Sequence, residues 1–320
     1  MRRHRLPVNP IFAKPGSPDE GCTIGTSPDP VKVAGLCLFI HWQAAILRRT
    51  PEARRTLDTY DASQSSDELQ TALEAARAAA DISRGYYAGN FTVTTKDDLT
   101  PVTQADVECE HKIREIILGR FPEHGFYGEE TGRTRDDADY LWLVDPIDGT
   151  KGFVRQYPFF STQIALMHDG QIVLGVSSGT MMNELAWAER GKGAWLNGHR
   201  LGVSSIDDPN RAAVSTGNLK SLASGDGWGS LGEIVAQSDR IRGYGDFYHY
   251  HLLASGKIEA VIESDVNILD IAALSVIVSE AGGVFTDLNG APVGLETRSV
   301  LAASAALHDH YLELLKGRVI

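Results

Sequence analysis

Tyr140-Leu141-Trp142-Leu143-Val144-Asp145-Pro146-Ile147-Asp148-Gly149-Thr150 decides how the chain is read. Its apolar start predicts a strand buried on both faces, Tyr140 to Val144. Asp145 and Asp148 follow, three residues apart with Pro146 stiffening the backbone between them, and are predicted to project from the strand end. Hard cations such as Mg²⁺ take oxygen ligands, commonly one or two carboxylates plus substrate phosphate. Gly149 allows the backbone to approach an anion closely, and Thr150 supplies a hydroxyl able to orient a water. The same residues are also compatible with a solvated Asp-Gly turn, so alone they leave the chemistry open.

Downstream, Ser161–His168 and Gln171–Val176 read as a hairpin on the two-residue turn Asp169-Gly170. Glu184–Glu189 continues as strand. Phe247–Ser255 reads as helix, Ile258–Ile262 as strand, and Asp270–Ala281 as a helix stopped by Gly282-Gly283. Upstream, a helix is expected from about Asp106 to Leu118, with Cys109, Ile113, Ile116 and Ile117 on one face. Another starts at Ser65, where Ser65 and Glu68 match a capping box ahead of Leu69, Leu73, Ala76 and Ala80. Strands and helices come in runs, which points to layered sheets and helices rather than a simple parallel doubly wound sheet. The main domain is expected over 65–320, as two αβ lobes of about 65–200 and 201–320.

Residues 1–64 read differently. Pro7, Pro10, Pro15, Pro18, Pro28 and Pro30 crowd the start, predicting a poorly ordered or loosely docked extension. The apolar run Val33–Leu47 is broken by His41 and Gln43 and falls short of the roughly 20 residues that span a bilayer. It reads as a short docked helix, with a membrane-surface anchor or partner-docking module as the alternatives.

The 320 residues suffice for a large core, and 42% hydrophobic with 22% charged content is ordinary for a soluble protein. A net charge of −12 argues against generic nucleic-acid binding, which relies on Lys and Arg. It does not exclude a phosphorylated substrate, since bound cations invert the local field. Cys22, Cys37 and Cys109 fit neither a zinc site nor a disulfide framework, so a reducing, cytoplasmic setting is expected.

Two further acidic groups stand out. Gly128-Glu129-Glu130-Thr131 is by itself a common surface pattern, and Asp270 by itself reads as a helix N-cap. Together the pieces say more. Gly128-Glu129-Glu130, then Trp142 to Thr150, then Asp270-Ile271-Ala272-Ala273 with Glu280-Ala281-Gly282-Gly283, resemble the signature of the inositol monophosphatase superfamily in order and spacing. Lys96 and Pro101-Val102-Thr103-Gln104-Ala105-Asp106 resemble its upstream segment.

The resemblance implies an α/β fold, a five-layer αβαβα sandwich of the inositol monophosphatase and fructose-1,6-bisphosphatase type. It implies a homodimer, two to three Mg²⁺ ions per active site, inhibition by Li⁺, and a small phosphorylated metabolite as substrate, with neither nucleic acid nor membrane as partner. Glu129, Asp145, the Ile147 carbonyl, Asp148 and Asp270 would be the metal ligands. Thr150 with Glu129 would orient the attacking water, and Gly149 and Thr150 would touch the phosphate. Asp106 would stand behind the ligands or on a third metal, Glu130 beside them, and Lys96 at the rim. The family commonly has Trp before the last metal-binding Asp, where this chain has Leu269, a difference in the pocket wall.

The stretch Gly243-Tyr244-Gly245-Asp246-Phe247-Tyr248-His249-Tyr250, with Glu263 seven residues before Asp270, resembles the histidinol-phosphate phosphatase branch. Asp246 and Glu263 could meet the ammonium of L-histidinol phosphate by charge-assisted hydrogen bonds, although Asp246 also reads as an N-cap. Lys151 and Arg155 resemble the branch that removes the 3′-phosphate of phosphoadenosine phosphate, or are plain rim charges. Inositol 1-phosphate is the other candidate ester, and a catalytically silent binding relative the candidate of another class. His249 and His251, two apart on a helix, do not share a face, so at least one is expected to be packing or surface.

Overall fold

A computed structural model of the chain describes residues 60–89, 93–95, 101–135 and 137–317, which fall within one compact unit, Thr56–Ile320. Lys96, Val33–Leu47 and nearly all of the Pro-rich extension lie outside the described residues. Helix α1 (Asp67–Tyr87) is followed by the short pair β1 (Val93–Thr95) and β2 (Pro101–Thr103), then by α2 (Gln104–Arg120). The expected cap of α1 is corrected by one residue. Ser66 caps the helix by accepting the Leu69 amide at 3.1 Å. Ser65 ends a preceding 3₁₀ turn, Ala62–Gln64, and gives its hydroxyl to the Ala62 carbonyl, so it is not available to pair with Glu68.

Strands β3 (Gly125–Gly128), β4 (Gly132–Thr134), β5 (Tyr140–Asp148), β6 (Ser161–His168), β7 (Gln171–Gly179), β8 (Glu184–Glu189), β9 (Ala194–Leu196) and β10 (His199–Arg200) form one sheet in the order β10-β9-β8-β7-β6-β5-β3-β4. Only the β3/β5 pair is parallel. A short helix α3 (Thr150–Val154) follows β5. The β6/β7 hairpin turns on Asp169 and Gly170, both with positive φ, as a two-residue primed turn requires. Buried β5 alternates as a two-sided strand must: Trp142 and Val144 pack beneath α1 and α2, while Leu141 and Leu143 pack on the opposite side.

A second sheet, ordered β12-β11-β13-β15-β14, uses β11 (Ala213–Thr216), β12 (Arg240–Arg242), β13 (Ala260–Ser264), β14 (Gly283–Thr286) and β15 (Ser299–Ser304). Helices α4 (Lys220–Ser224) and α5 (Gly227–Gln237) link β11 to β12, and α6 (Asp246–Ala254), α7 (Ile268–Glu280) and α8 (Ala305–Leu315) complete the chain. Helices α6 and α7 are enclosed between the two sheets in one apolar cluster, and α5 and α8 cover the far face of the second sheet. The layers are therefore α1 and α2, the eight-stranded sheet, α6 and α7, the five-stranded sheet, then α5 and α8. This is the five-layer αβαβα sandwich that the resemblance implied. Leu269 is buried in the central cluster, and Cys109 lies buried beneath α1, its thiol pushed up to about 12 by burial and without a functional role in view.

Candidate active site

Buried Asp145 accepts the Ile147 amide at 3.0 Å, which curls the chain back on itself. Strand β5 does not stop at Val144 as the sequence reading had it. It runs to Asp148, with a register shift between the Asp145–Gln163 and Asp148–Ser161 pairs. That irregularity presents Asp145 and Asp148 at one end of the sheet, and Asp148 accepts the Ser161 hydroxyl at 3.0 Å. Gly149 then turns the chain with φ 87°, and a Cβ there would lie 2.9 Å from the Phe159 carbonyl. A side chain is excluded on both counts.

Asp270 arrives from the opposite side of the cleft, at the third position of α7. Asn267, not Asp270, is the N-cap, and Asp270 closes a capping box by accepting the Asn267 amide at 3.0 Å. Carboxylate oxygens of Asp145, Asp148 and Asp270 all lie within 4.8 Å of one another. Burial raises Asp145 well above the usual carboxylate range, reinforced by Glu129, Asp148, Asp270 and Asp106. Burial likewise raises Asp148, next to Asp246 and Asp270, and pushes Asp270 up to about 6. Asp148 and Asp270 keep an edge open to solvent, but protein surrounds most of each. Three carboxylates this close repel one another, and a hard cation relieves both the repulsion and the burial cost.

Glu129 lies on an exposed loop after β3, near enough to raise the pKa of Asp106, Asp145 and Asp270. Its backbone is fixed by a residue that the sequence reading missed. Buried Glu110 on α2 accepts the Glu130 amide and the Thr131 amide, each at 2.7 Å. Its position one helical turn after Asp106 was the available signal. Asp106 caps α2 together with Thr103, and its other oxygen receives the Thr150 hydroxyl at 3.2 Å. That hydroxyl also lies 3.0 Å from the Ile147 carbonyl. Asp106, Ile147 and Thr150 are thus joined directly.

The wall of the cleft comes from the second sheet. A cavity of about 30 Å³, room for roughly one water, is lined by Asp148 and Asp270 together with Asp246, Glu263, Asn218 and Tyr250. Larger cavities lie elsewhere, among Tyr60, Trp187 and Trp195 for example, but none gathers such a set of carboxylates. Asp246 is the first residue of α6 with Gly245 as cap, so it is not itself the N-cap. Burial, with Glu263 nearby, pushes it up to about 6. Glu263 behaves oppositely. Burial opposes its charge, but His249, the Asn218 amide and the Tyr250 hydroxyl outweigh that and hold it below the usual range.

His249 and His251 are both buried, and neither is merely packing. His251 hydrogen-bonds Glu184 at 2.8 Å and Ser177 at 2.9 Å. Gln163 links Ser177 to Ser161, and Ser161 donates to Asp148, so a polar chain crosses the core behind the carboxylates. Lys151 and Arg155 are exposed on the first turns beyond Gly149.

The inositol monophosphatase family profile matches residues 65–319. The chain belongs to the inositol monophosphatase family. Within this family it resembles a histidinol-phosphatase of Mycobacterium tuberculosis, 37% identical over 265 residues that cover 79% of this chain and 99% of the relative. It is 34% identical to an inositol-1-monophosphatase of Caulobacter vibrioides, covering 77% of this chain and 99% of that one. Among solved structures, the extragenic suppressor protein suhB of Bartonella henselae superposes with a TM-score of 0.73 at 29% identity, over 79% of this chain and 99% of its own. Membership makes the chain a phosphoric monoester hydrolase of a metal-dependent family acting on small phosphorylated substrates. Among the described residues, no helix is long and apolar enough to cross a membrane.

Proposed function

We propose that the chain hydrolyses L-histidinol phosphate to L-histidinol and phosphate with the help of Mg²⁺. The observation that carries this reading is the cavity on which Asp246 and Glu263 meet Asp148 and Asp270. A phosphate ester whose alcohol bears an ammonium needs cations at one end and anions at the other. The cavity itself has room for about one water, and the carboxylates on its border are the groups that would meet the two ends from the cleft. The fit of a divalent ion rests on the three carboxylates within 4.8 Å, two of them held well above the ordinary range by burial and mutual repulsion.

Asp145, Asp148, Asp270, Glu129 and the Ile147 carbonyl are the proposed ligands for two to three ions. Bound there, such ions would supply neutralisation of the phosphate dianion, a more acidic water and stabilisation of the departing alkoxide. The chain's own contribution is placement. The Thr150 hydroxyl has its proton taken up by Asp106 or the Ile147 carbonyl, so its oxygen is the proposed acceptor for a water. Glu129, on a loop pinned by Glu110, is the proposed acceptor for that water's second proton. Gly149 and Thr150 are the proposed contacts to the phosphate, on the turn that Gly149 makes with positive φ. Glu130 shares the pinned loop, and Lys96 is proposed at the rim. Residues 65–320 are taken as the catalytic unit, acting as a Li⁺-sensitive cytoplasmic homodimer.

The similarity to an inositol-1-monophosphatase favours a second reading, in which the substrate is an uncharged polyol phosphate. Phosphate release from L-histidinol phosphate, inositol 1-phosphate and phosphoadenosine phosphate, compared at saturating Mg²⁺ with EDTA and Asp145→Asn as controls, separates the readings. Preference for the first supports the proposal, preference for another overturns the substrate, and silence on all three with metal bound overturns both.

A further inference from the structure

Glu263 is only 5% exposed, yet it stays ionised without any Lys or Arg among the groups that shift its pKa. Its carboxylate is pressed against the backbone: a Cβ on Gly217 would lie 2.0 Å from Oε1, so that position admits only glycine. Oε1 accepts the Asn218 amide at 3.1 Å, and Oε2 accepts the Tyr250 hydroxyl at 2.9 Å. The remaining neighbour is His249, fully buried, with Nε2 3.3 Å from Oε2. This contact is off the line of a well-formed hydrogen bond, and among the described residues no other acceptor reaches Nε2.

The other side of the imidazole offers Nδ1 a donor. Nδ1 lies 3.3 Å from the Ser215 hydroxyl oxygen. That oxygen already accepts the Tyr244 amide at 3.2 Å. Its one proton is free to go to Nδ1, which then acts as acceptor, and a ring with a single proton carries it on Nε2, facing Glu263. With Ser215 as donor the contacts run in one direction: Tyr244 amide to Ser215, Ser215 to His249 Nδ1, and the Nε2 side of the ring faces Glu263 at 3.3 Å. Tyr244 sits two residues before Asp246, on the loop that delivers that carboxylate to the cavity.

We propose that His249 is a positioning residue that ties the Asp246 loop to the Glu263 carboxylate through Ser215, holding the two anions at the spacing a cationic phosphate ester requires. This rests on the reading of the cleft as a site for an ammonium-bearing ester. His249 is neither a lining residue of the cavity nor one of the metal carboxylates; it reaches the cavity through Glu263. Its loss is felt through Glu263, in binding of the cationic end rather than in bond cleavage.

The test is steady-state kinetics of His249→Leu and His249→Gln on L-histidinol phosphate and on inositol 1-phosphate, which has no ammonium. A hydrogen bond to a charged group is worth about tenfold in affinity. His249→Leu should raise KM for the ammonium ester about tenfold and leave its kcat within about threefold, whereas Gln, whose amide nitrogen can occupy the place of Nε2, should recover most of that loss. An equal fall on both esters, or no change on either, overturns the proposal. If the wild-type protein shows no preference for the ammonium ester, the parent reading fails first and this one with it. Should the variants not fold, the ¹⁵N shifts of the imidazole in the wild-type protein decide: an Nε2–H tautomer is required, and an Nδ1–H tautomer overturns the network.

Discussion

The two halves of the cleft are both acidic, and they treat their charge in opposite ways. At the end of β5 in the eight-stranded sheet, Asp145 and Asp148 are raised well above the normal carboxylate range. On the second sheet, Glu263 is equally enclosed, yet lies below it. The difference is in the neighbours. Asp145 faces other carboxylates, with backbone geometry forcing them together. Glu263 faces donors, the Asn218 amide, Tyr250 and His249. Burial works against a carboxylate's charge in both places, so what decides is whether the protein supplies compensation or leaves it to a ligand. The first group is arranged to take a cation, and the second keeps its charge unaided.

The largest way to strain this comparison is Asp145→Asn. Removing one carboxylate from the cluster should lower kcat/KM by about a thousandfold or more on every ester, since metal assistance supplies several kcal/mol. The ratio between esters should stay within about threefold, because the wall is untouched. Loss confined to one ester would merge the two regions into a single unit.

Glu110→Ala comes next. It strips the acceptor from two backbone amides in a buried position, and hydrogen bonds to a charged group contribute about 1.5–3 kcal/mol each. Urea unfolding should show a loss of about 3 kcal/mol with a fall in kcat as the Glu129 loop loosens. Stability at the wild-type level would show that the loop is held by other contacts.

The pH dependence without divalent ion should be smaller and has a definite sign. Folded-state carboxylates raised to about 6 or above, as Asp246 and Asp270 are, bind protons that the unfolded chain has already released at that pH. Stability is therefore gained as pH falls from 7.5 toward 5.5 and lost as it rises. Melting in EDTA should shift upward by a few degrees over that interval, and Mg²⁺ should flatten the trend. A melting temperature that falls with pH over the same range would mean that the cluster is not under repulsion.

The two regions also differ in how far the sequence exposed them. Asp145, Pro146, Ile147 and Asp148 sit in one contiguous run behind a plainly buried strand, so the strand and two of the three clustered carboxylates were readable there. The continuation of β5 to Asp148 was not, because its register shift depends on pairing with Ser161 and Gln163 in a different strand. The αβαβα layering followed from resemblance rather than from periodicity, since two-sided strands such as β5 and enclosed helices such as α7 carry little amphipathic contrast. Glu110 escaped notice because an acidic residue on a helix usually faces water. The Ser215–His249–Glu263 arrangement was illegible for a stronger reason: its members come from β11, α6 and β13, and only the second sheet brings them within reach. Ser65 was assigned the cap of α1 because nothing local distinguishes it from Ser66. The preceding 3₁₀ turn is what takes it up.

The division of labour is tested most directly by the ratio of kcat/KM for L-histidinol phosphate to that for inositol 1-phosphate, in the wild-type protein and in Asp246→Ala. The account predicts a ratio of about a hundred or more in the wild type, falling at least about tenfold in the variant, while hydrolysis of inositol 1-phosphate changes by less than about threefold. A wild-type ratio near one, or a preference that survives loss of Asp246, would contradict it.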